Sequence, residues 1–376
     1  MTKNTHLREL LQDESRNESL RFKVLDKIWL DYTHTKIDSQ GLALLAQVAT
    51  DQGVADGIRA MFNGDVVNPT EGRQVWHVKL RTQQSESQVE QEVVAVQQAI
   101  KAFSEKIRSG AHVGYTGKPI MSVVAIGIGG SYLGPEFVYE ALKFDSVAQD
   151  EAQQRKLKFL ANVDPIDINR ALSDVDFEET LFVIVSKTFT TAETMLNART
   201  IKRKIVEFFG SKVENCDAEA ALKAHLCAVS TNHTATDAFG IARENVFGFW
   251  DWVGGRFSVS SAVGLLPLSL HYGFDVLDSF LKGLASVDTC LTSSLDGSLA
   301  TNGIAMMGLI GFYNTYICGI ESRAILPYCQ ALLRFPAHIQ QLDMESNGKT
   351  CSKSGIRLDE GVHTGPIILG EPGTNG

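Results

Sequence analysis

Arg256 is the side chain of this sequence best suited to meet negative charge. It lies in the run FWDWVGGRFSVSSAVG at 249–264, directly after Gly254 and Gly255. The two glycines predict either a close approach of the backbone to a ligand or a positive φ. The guanidinium offers five N–H donors in a rigid fork that suits phosphate or a developing oxyanion. The alternative is an ordinary surface turn whose arginine pairs with a nearby carboxylate.

Two upstream segments each lead from an apolar strand pattern through a polar turn into a helix pattern. The N–H groups and dipole at a helix N-terminus favour anions, and Ser186, Thr188, Thr191 and Thr194 add hydroxyl donors in the second segment. These segments therefore predict a phosphate site, although a threonine that caps the helix is the alternative. The predicted strand, turn and helix are 122–128, 129–131 and 134–142 in the first segment, and 180–187, 188–191 and 192–209 in the second.

A nucleotide-binding Rossmann domain is the minority alternative for the first segment. Gly127, Gly129 and Gly130 do not have the G-x-G-x-x-G spacing, although Gly134 extends the pattern. Asp164 could serve as the ribose-binding acid, but it precedes a proline, and this predicts a turn. The sequence has no Walker motif.

Taken together, these segments resemble the glucose-6-phosphate isomerases, also called phosphoglucose isomerases. Weaker similarity runs from NPTEGR at 68–73 to GEPGTNG at the end of the sequence. The main motifs follow the family's order: GIGGSYLGP at 127–135, SKTFTTAET at 186–194, DWVGGRFSVSSAVG at 251–264 and QQLDMESNGK at 340–349.

The resemblance implies a reversible interconversion of glucose 6-phosphate and fructose 6-phosphate, in glycolysis and gluconeogenesis, with no cofactor and no metal. Glu345 is then the catalytic base, Arg256 stabilises the enediolate and Gln341 contacts the substrate. A proton moves between adjacent carbons, so one carboxylate must take it from C2 and return it to C1 while fixed donors meet the intermediate's charge. The residues implied to hold the phosphate are Gly130, Ser131, Ser186, Lys187, Thr188 and Thr191.

Several alternatives remain open for these residues. Glu345 could be a solvated loop carboxylate, and Asp343 is a rival base, since residues two apart share a face if the segment is extended. Lys187 could lie in solvent at the end of its strand. For the whole chain, the alternatives to the isomerase are a non-catalytic sugar-phosphate-binding module and an inactive fragment of the isomerase.

The order of elements predicts an α/β fold, a three-layer α-β-α sandwich with a parallel, doubly wound sheet. The predicted strands are VVAIGI, LKFLANV, LFVIVS and HLCAVS, and RTQQSESQVEQE at 81–92 reads as a linker. We expect a mainly helical segment at 1–94, a first sugar isomerase domain at 95–272 and the start of a second, incomplete one at 273–376. The resemblance implies that the family continues beyond this point with a histidine that opens the ring of the substrate and a lysine at the active site, so we expect a truncated chain with little or no activity.

The composition is compatible with an ordinary soluble enzyme, with 44% hydrophobic residues and a net charge of −9, and it bounds the class of the protein but not its function. That charge argues against nucleic acid and anionic membranes as partners. The six cysteines show no C-x-x-C spacing, as expected of reduced thiols in the cytoplasm. The uncharged run 297–320 predicts a buried helix rather than a membrane span. The resemblance further implies a homodimer when the protein is full length.

Overall fold

The computed structural model describes residues 5–82 and 85–374. Two short turns carry residues that the sequence predicts to be functional: a 3-10 turn at Gly255–Ser260 and a π-helical turn at Gln340–Glu345. Over the described residues the helices are α1 Leu7–Leu10, α2 Glu14–Ser19, α3 Ser39–Asp51, α4 Val54–Asn63, α5 Gln88–Arg108, α6 Gly130–Leu142, α7 Ser146–Ala152, α8 Pro165–Leu172, α9 Ala192–Lys212, α10 Ala218–His225, α11 His233–Phe239, α12 Ala262–Tyr272, α13 Phe274–Thr292, α14 Gly303–Phe312 and α15 Phe335–Ile339. The strands are β1 Arg21–Leu25, β2 Ile28–Asp31, β3 Ser122–Ile126, β4 Lys156–Leu160, β5 Thr180–Val185, β6 Leu226–Val229, β7 Val246–Phe247, β8 Ser322–Ala324 and β9 Ile367–Leu369.

The described residues divide into two compact units, and each unit is formed from several stretches of chain. The first unit comprises 5–81, 282–324 and 343–369, and the second comprises 82, 85–281, 325–342 and 370–374. The division of the sequence at residues 94 and 272 stays a prediction.

The second unit is built on a five-stranded parallel sheet with the order β4-β3-β5-β6-β7. Alternate residues of the central strand β5 face opposite sides: Val183 joins a core with α5, α6 and α12, whereas Phe182 joins a core with α8, α9 and α10. Helices therefore cover both faces of the sheet, as expected for buried parallel strands. The predicted α/β class, with its three layers and parallel sheet, is confirmed.

The strand order locates a binding edge before any side chain is considered. The first strand of the sheet, β3, lies between β4 and β5. The chain passes from β3 to β4 on one side and then returns to β5 on the other side of β3, so the strand order reverses at this point. In open α/β sheets, ligands bind beyond the carboxyl ends of the strands at such a switch point. Here the segments that leave this point are 127–131 after β3 and 186–191 after β5, the two turns that the sequence marked for anions.

Some predicted boundaries are wrong. The linker predicted at 81–92 gives way to α5 at Gln88, because Ser87 accepts a hydrogen bond from the Glu90 N–H and Glu90 bonds back to the Ser87 N–H. This is a capping box, and its S-x-x-E signal was visible in the sequence. Residues 83 and 84 of that predicted linker lie outside the described part.

The first unit contains a β-hairpin, β1 and β2, where the sequence predicted only helical and irregular structure. Arg16 on α2 is buried beside it and donates hydrogen bonds to the carbonyl oxygens of Ile37 (2.6 Å), Thr33 (2.9 Å) and Thr35 (2.6 Å). A buried arginine needs such partners, because an unpaired charge in the core is costly. Strands β8 and β9 pair in parallel in the same unit.

The uncharged run 297–320 does not form one buried helix. It forms a 3-10 turn at Leu299–Thr301, helix α14 and a π-helical turn at Tyr313–Ile317. Met306 is buried but Met307 is 53% exposed. In the part of the chain that the structure describes, no helix is long and apolar enough to cross a lipid bilayer.

Candidate active site

The first turn of the site joins β3 to α6. Helix α6 begins at Gly130, four residues before the predicted Gly134, so Gly130 and Ser131 form its first turn. Gly129 precedes it with φ 58° and ψ −121°, a conformation that strongly favours glycine. The N–H groups of a first helical turn have no acceptor within the helix, and the helix dipole is positive there. The Ser131 N–H donates to the carbonyl oxygen of Ile128 at 3.1 Å, so this turn offers the Gly130 N–H and the Ser131 hydroxyl as donors at the carboxyl edge of the sheet.

The second turn joins β5 to α9 and carries four hydroxyl groups between Ser186 and Thr191. Thr191 occupies the N-cap position of α9, but its side chain makes no capping bond and instead accepts a hydrogen bond from the Ser186 hydroxyl (3.2 Å). The Thr188 and Thr190 hydroxyls bond each other (2.6 Å). In the described structure, the hydroxyl groups of this turn bond each other and do not cap α9.

Thr194 lies elsewhere in the same helix. It is 2% exposed, and its hydroxyl has no hydrogen-bond partner among the described residues. Its hydroxyl is therefore inside the protein rather than at the open edge with those of Ser186 to Thr191.

The pairing of β3 with β5 brings the two turns together. Ile126 pairs with Ile184 at the ends of these parallel strands. At Gly127 a Cβ atom would lie 2.8 Å from the Ser131 Cβ and 3.4 Å from the Val185 Cβ. Glycine at 127 thus permits the close approach between the first turn and the end of β5.

The turn that carries Arg256 packs directly on the first turn. A Cβ atom on Gly130 would lie 2.1 Å from the carbonyl oxygen of Gly255, so only glycine fits at 130. The Ser258 hydroxyl donates to the carbonyl oxygen of Gly255 (2.6 Å) and lies 3.4 Å from that of Gly130. Gly254 has φ −71° and Gly255 also lacks a positive φ, so that part of the prediction is wrong. The close approach is between two backbone turns, and it brings Arg256 to the first turn.

Arg256 is half-buried, and its guanidinium carbon lies 5.8 Å from the centre of the Phe257 ring. Over residues 5–82 and 85–374, it makes no ion pair with a carboxylate. The alternative of a surface arginine neutralised by a neighbouring acid is therefore wrong, and the charge of Arg256 is available to a ligand.

Lys187 does not extend into solvent. Its ammonium lies 3.2 Å from both the backbone oxygen and the Oδ1 atom of Asp251, and 5.6 Å from the centre of the Phe249 ring. The side chain of Lys187 is 26% exposed and that of Asp251 is 78% exposed. Through these contacts with Asp251, Lys187 connects the second turn to the segment that precedes Arg256.

Gln341 reaches the first turn because α15 packs on α6. The Phe137 ring lies 5.3 Å from the Phe335 ring and stacks on His338 at 5.6 Å. At the far end of this contact, the Gln341 Nε2 atom lies 3.2 Å from where a Cβ on Gly129 would be. The structure thus brings together the predicted glutamine and the predicted phosphate turn.

A charged network supports the same contact. Arg334 forms an ion pair with Glu136 and donates to the Tyr132 hydroxyl at 3.1 Å. Burial and the neighbouring Glu136 raise the pKa of Tyr132 to about 12, so this hydroxyl stays protonated at neutral pH. Burial also lowers the pKa of His338, so its ring is neutral there.

Glu345 and Asp343 belong to the first unit and have different surroundings. They lie on a π-helical turn, not on an extended segment, so the argument that two residues share a strand face does not apply. Asp343 accepts from Arg323 (2.8 Å) through one oxygen and from Asn347 (2.8 Å) through the other. The exposed carboxylate of Glu345 accepts from the Ser346 hydroxyl at 3.2 Å. Within the described part of the chain, Asp343 is held by an arginine and Glu345 is not.

The position of Asp164 does not support the alternative of a dinucleotide-binding Rossmann domain. Asp164 caps α8 by accepting the Ile166 N–H at 2.9 Å, so its carboxylate has a structural partner. Over the described residues, no group of three or more His, Cys, Asp or Glu side chains is arranged to hold a metal ion.

Sequence reasoning missed three residues behind the second turn. Ser230, Thr231 and Asn232 follow β6 and donate hydrogen bonds to the backbone oxygens of Lys187 and Thr188. The signal was available, since S-T-N follows a buried strand just as the polar turns follow β3 and β5.

Comparison with known proteins agrees with this architecture. A family model described as "Phosphoglucose isomerase" matches residues 31–376. The chain is 48% identical over 380 residues to a protein of Spinacia oleracea named "Glucose-6-phosphate isomerase, cytosolic", covering 100% of this chain and 65% of the relative. It is also 48% identical to the cytosolic B protein of Oryza sativa subsp. japonica that carries the same enzyme name, over 99% of this chain and 64% of that protein.

The solved structures include a glucose-6-phosphate isomerase from Chlamydia trachomatis, which matches with a TM-score of 0.81 and 26% identity. That match covers 100% of this chain and 68% of the other. The chain therefore spans about two thirds of the length of its relatives, 65% in the case of the spinach protein. The matching family model, together with the site built on the switch point of the sheet, shows that this chain belongs to the phosphoglucose isomerase family.

Proposed function

We propose that this chain carries the phosphate-binding and proton-transfer residues of an enzyme that interconverts glucose 6-phosphate and fructose 6-phosphate. The observation that carries the proposal is the convergence of two polar turns, 127–131 and 186–191, with the Arg256 turn at the switch point of the sheet. The names of the relatives support this substrate class.

The phosphate of the sugar binds in the two turns. Ser131, Ser186, Thr188 and Thr191 supply hydroxyl donors, and the first turns of α6 and α9 supply N–H groups and a favourable dipole. Gly130 lets the first turn lie against the Arg256 turn, and Lys187 adds positive charge beside the second. Anchoring the phosphate holds the reacting carbons of the sugar in position, which lowers the entropic part of the barrier.

Arg256 and Gln341 act on the sugar end of the substrate. Removal of the C2 proton leaves an enediolate whose negative charge is spread over O1 and O2. The guanidinium of Arg256, with no carboxylate partner among the described residues, donates to these oxygens and stabilises the charge. Gln341, whose amide lies at the first turn, contacts the substrate beside it.

Glu345 serves as the general base. Its carboxylate takes the proton from C2 of the aldose and returns it to C1, giving the ketose, and the reverse sequence runs the reaction backwards. The family motif MESNGK and the engagement of Asp343 with Arg323 and Asn347 support this assignment. Arg323 and Asn347 each hold one oxygen of Asp343, so this carboxylate is less free than that of Glu345 to approach a carbon of the substrate.

The experiment combines binding and turnover. Fructose 6-phosphate is titrated into the purified chain by calorimetry, and formation of glucose 6-phosphate is followed for the parent and for Glu345→Gln and Asp343→Asn. We expect Glu345→Gln to bind the sugar phosphate and to lose roughly 10²–10⁴ in turnover, as loss of a general base does. Asp343→Asn serves as the matched carboxylate control.

Each outcome has a distinct meaning. A parent chain that does not bind fructose 6-phosphate contradicts the proposed phosphate site in the turns 127–131 and 186–191. Binding without turnover in the parent means that the chain as given is a sugar-phosphate-binding module or an inactive fragment of the isomerase, and not an active enzyme. A larger loss of turnover in Asp343→Asn than in Glu345→Gln would show that the wrong carboxylate was assigned.

The same proposal extends to location and assembly. The relatives are named cytosolic, which supports action in the cytoplasm. We further propose that two copies of the full-length protein associate. Light scattering of the purified full-length protein tests this, and a monomer at micromolar concentration would contradict it.

A further inference from the structure

The backbone of the second turn is held from behind by the segment that follows β6. The carbonyl oxygen of Lys187 accepts hydrogen bonds from the Thr231 N–H (3.0 Å), the Thr231 hydroxyl (2.9 Å) and the Ser230 hydroxyl (3.1 Å). The carbonyl oxygen of Thr188 accepts from the Asn232 side-chain amide at 3.0 Å. Two successive carbonyl groups of the turn are therefore fixed by residues more than 40 positions away in the chain.

Fixing these carbonyls also fixes the donors of the turn. In a planar trans peptide the C=O and the following N–H point in opposite directions. With the Lys187 carbonyl directed at Ser230 and Thr231, the Thr188 N–H must point to the opposite side of the turn, away from β6. The direction of a backbone donor for an anion thus depends on side chains that do not themselves face the anion.

The turn would not keep this shape without outside support. Phe189 has φ 58°, a left-handed conformation that a bulky residue rarely adopts and that persists only where its surroundings over-determine it. Its ring is 5% exposed and packs edge-on against Phe239 at 5.5 Å, which anchors one side of the turn. The β6 segment anchors the other side.

The supporting side chains are themselves held. Ser230 is fully buried, and its N–H donates to the carbonyl oxygen of Phe247 at 3.0 Å, which continues the sheet. Asn232 donates its own N–H to the Ser230 hydroxyl (3.1 Å) and caps α11 by accepting the Ala235 N–H (3.0 Å). The side-chain nitrogen of Asn232 thus donates to Thr188 and its side-chain oxygen accepts from Ala235, so the orientation of this side chain is fixed.

We propose that Ser230, Thr231 and Asn232 are positioning residues that set the backbone of the turn 186–191 in its phosphate-binding shape. This inference rests on the proposed function, because it assumes that the turn binds the phosphate of a sugar phosphate. These residues act through the turn and need not touch the substrate.

The test compares variants that remove one supporting donor each. Thr231→Val replaces a hydroxyl by a methyl group of similar size, and Asn232→Ser keeps a good helix cap while its side chain is too short to reach Thr188. Thr231→Ser restores the hydroxyl. Thr236→Val is the matched control, because the Thr236 hydroxyl also bonds a backbone oxygen, but that oxygen belongs to His233 in the same helix and not to the turn.

Fructose 6-phosphate and inorganic phosphate are titrated by calorimetry into the whole chain and each variant, and thermal unfolding is recorded beside the titrations. We expect Thr231→Val and Asn232→Ser each to weaken the binding of both probes by roughly 2- to 10-fold, the equivalent of one net hydrogen bond. The double variant should lose roughly 10-fold or more. Thr231→Ser should bind within about twofold of the parent, and Thr236→Val should bind like the parent.

Three results would overturn the inference in different ways. A parent that binds neither probe refutes both the phosphate site and the positioning role of Ser230, Thr231 and Asn232. A parent that binds, with Thr231→Val and Asn232→Ser unchanged, refutes the support alone. Losses of affinity that follow the losses of melting temperature equally in all variants, Thr236→Val included, would show a purely structural role.

Discussion

Gly130→Ala tests the contact on which the site depends most. The added Cβ would lie 2.1 Å from the carbonyl oxygen and 2.3 Å from the carbonyl carbon of Gly255, whereas ordinary contact begins at 3.4 Å. The two turns would have to separate by about 1.3 Å, the difference between 3.4 and 2.1 Å. The obstacle is backbone, so no side-chain rotation can relieve it.

This separation moves the phosphate turn away from Arg256. A misplacement of about 1 Å at an active site can cost roughly 10²-fold in rate. We therefore expect Gly130→Ala to lower turnover of fructose 6-phosphate by about 10²-fold, or to weaken its binding correspondingly. Overpacking should also lower the free energy of unfolding by about 1–3 kcal/mol.

The control is Gly254→Ala in the facing turn. Gly254 has φ −71°, and an added Cβ would meet only the Phe257 ring at an ordinary 3.8 Å. Calorimetric titration and thermal unfolding should place this variant close to the parent. A Gly130→Ala protein that melts and binds fructose 6-phosphate like the parent would refute the reasoning.

Three further predictions concern charge, pH and backbone strain. Asp251→Asn removes the carboxylate beside Lys187 and should tighten phosphate binding by about 2- to 5-fold, as expected for an exposed pair; weaker binding in a calorimetric titration would show that Asp251 positions the lysine. Burial and two nearby arginines lower the pKa of His271 to about 4, so the unfolded chain takes up a proton first as the pH falls below about 6.5. Stability should therefore be complete above pH 6.5 and fall by about 3 kcal/mol towards pH 4, and urea unfolding of His271→Gln should lack this component. Both Phe189→Ala and Phe189→Gly lose a buried ring, but the alanine variant should unfold at lower urea because it retains the cost of φ 58°, about 1 kcal/mol; equal stabilities would contradict the strain.

The elements nearest the site were largely predictable because their signals are local. Helix α9 was predicted at 192–209 and spans Ala192–Lys212, and the strand predicted at 180–187 spans Thr180–Val185. Both arise from runs whose burial pattern is repeated over several residues, so a few errors at the ends do not change the assignment.

Predictions failed where a long-range contact overrides the local pattern. Helix α6 begins at Gly130, and this residue packs on Gly255, which is 125 positions later in the chain. Lys187 pairs with Asp251, and Ser230 holds the Lys187 carbonyl, again across more than 40 positions. Such contacts follow from the order of strands in the sheet, and no sequence spacing reports them.

The sequence by itself determined the family, the α/β class and the residue types of the site, because strand periodicity, helix N-termini and the four motifs are written in consecutive residues. Only the tertiary structure decided which groups meet. It placed Gly255, the neighbour of Arg256, against Gly130 so closely that no Cβ fits there, paired Lys187 with Asp251, and distinguished Asp343, which bonds Arg323, from Glu345. The physical reason is that packing and hydrogen bonds act between neighbours in space, whereas sequence patterns record only neighbours along the chain.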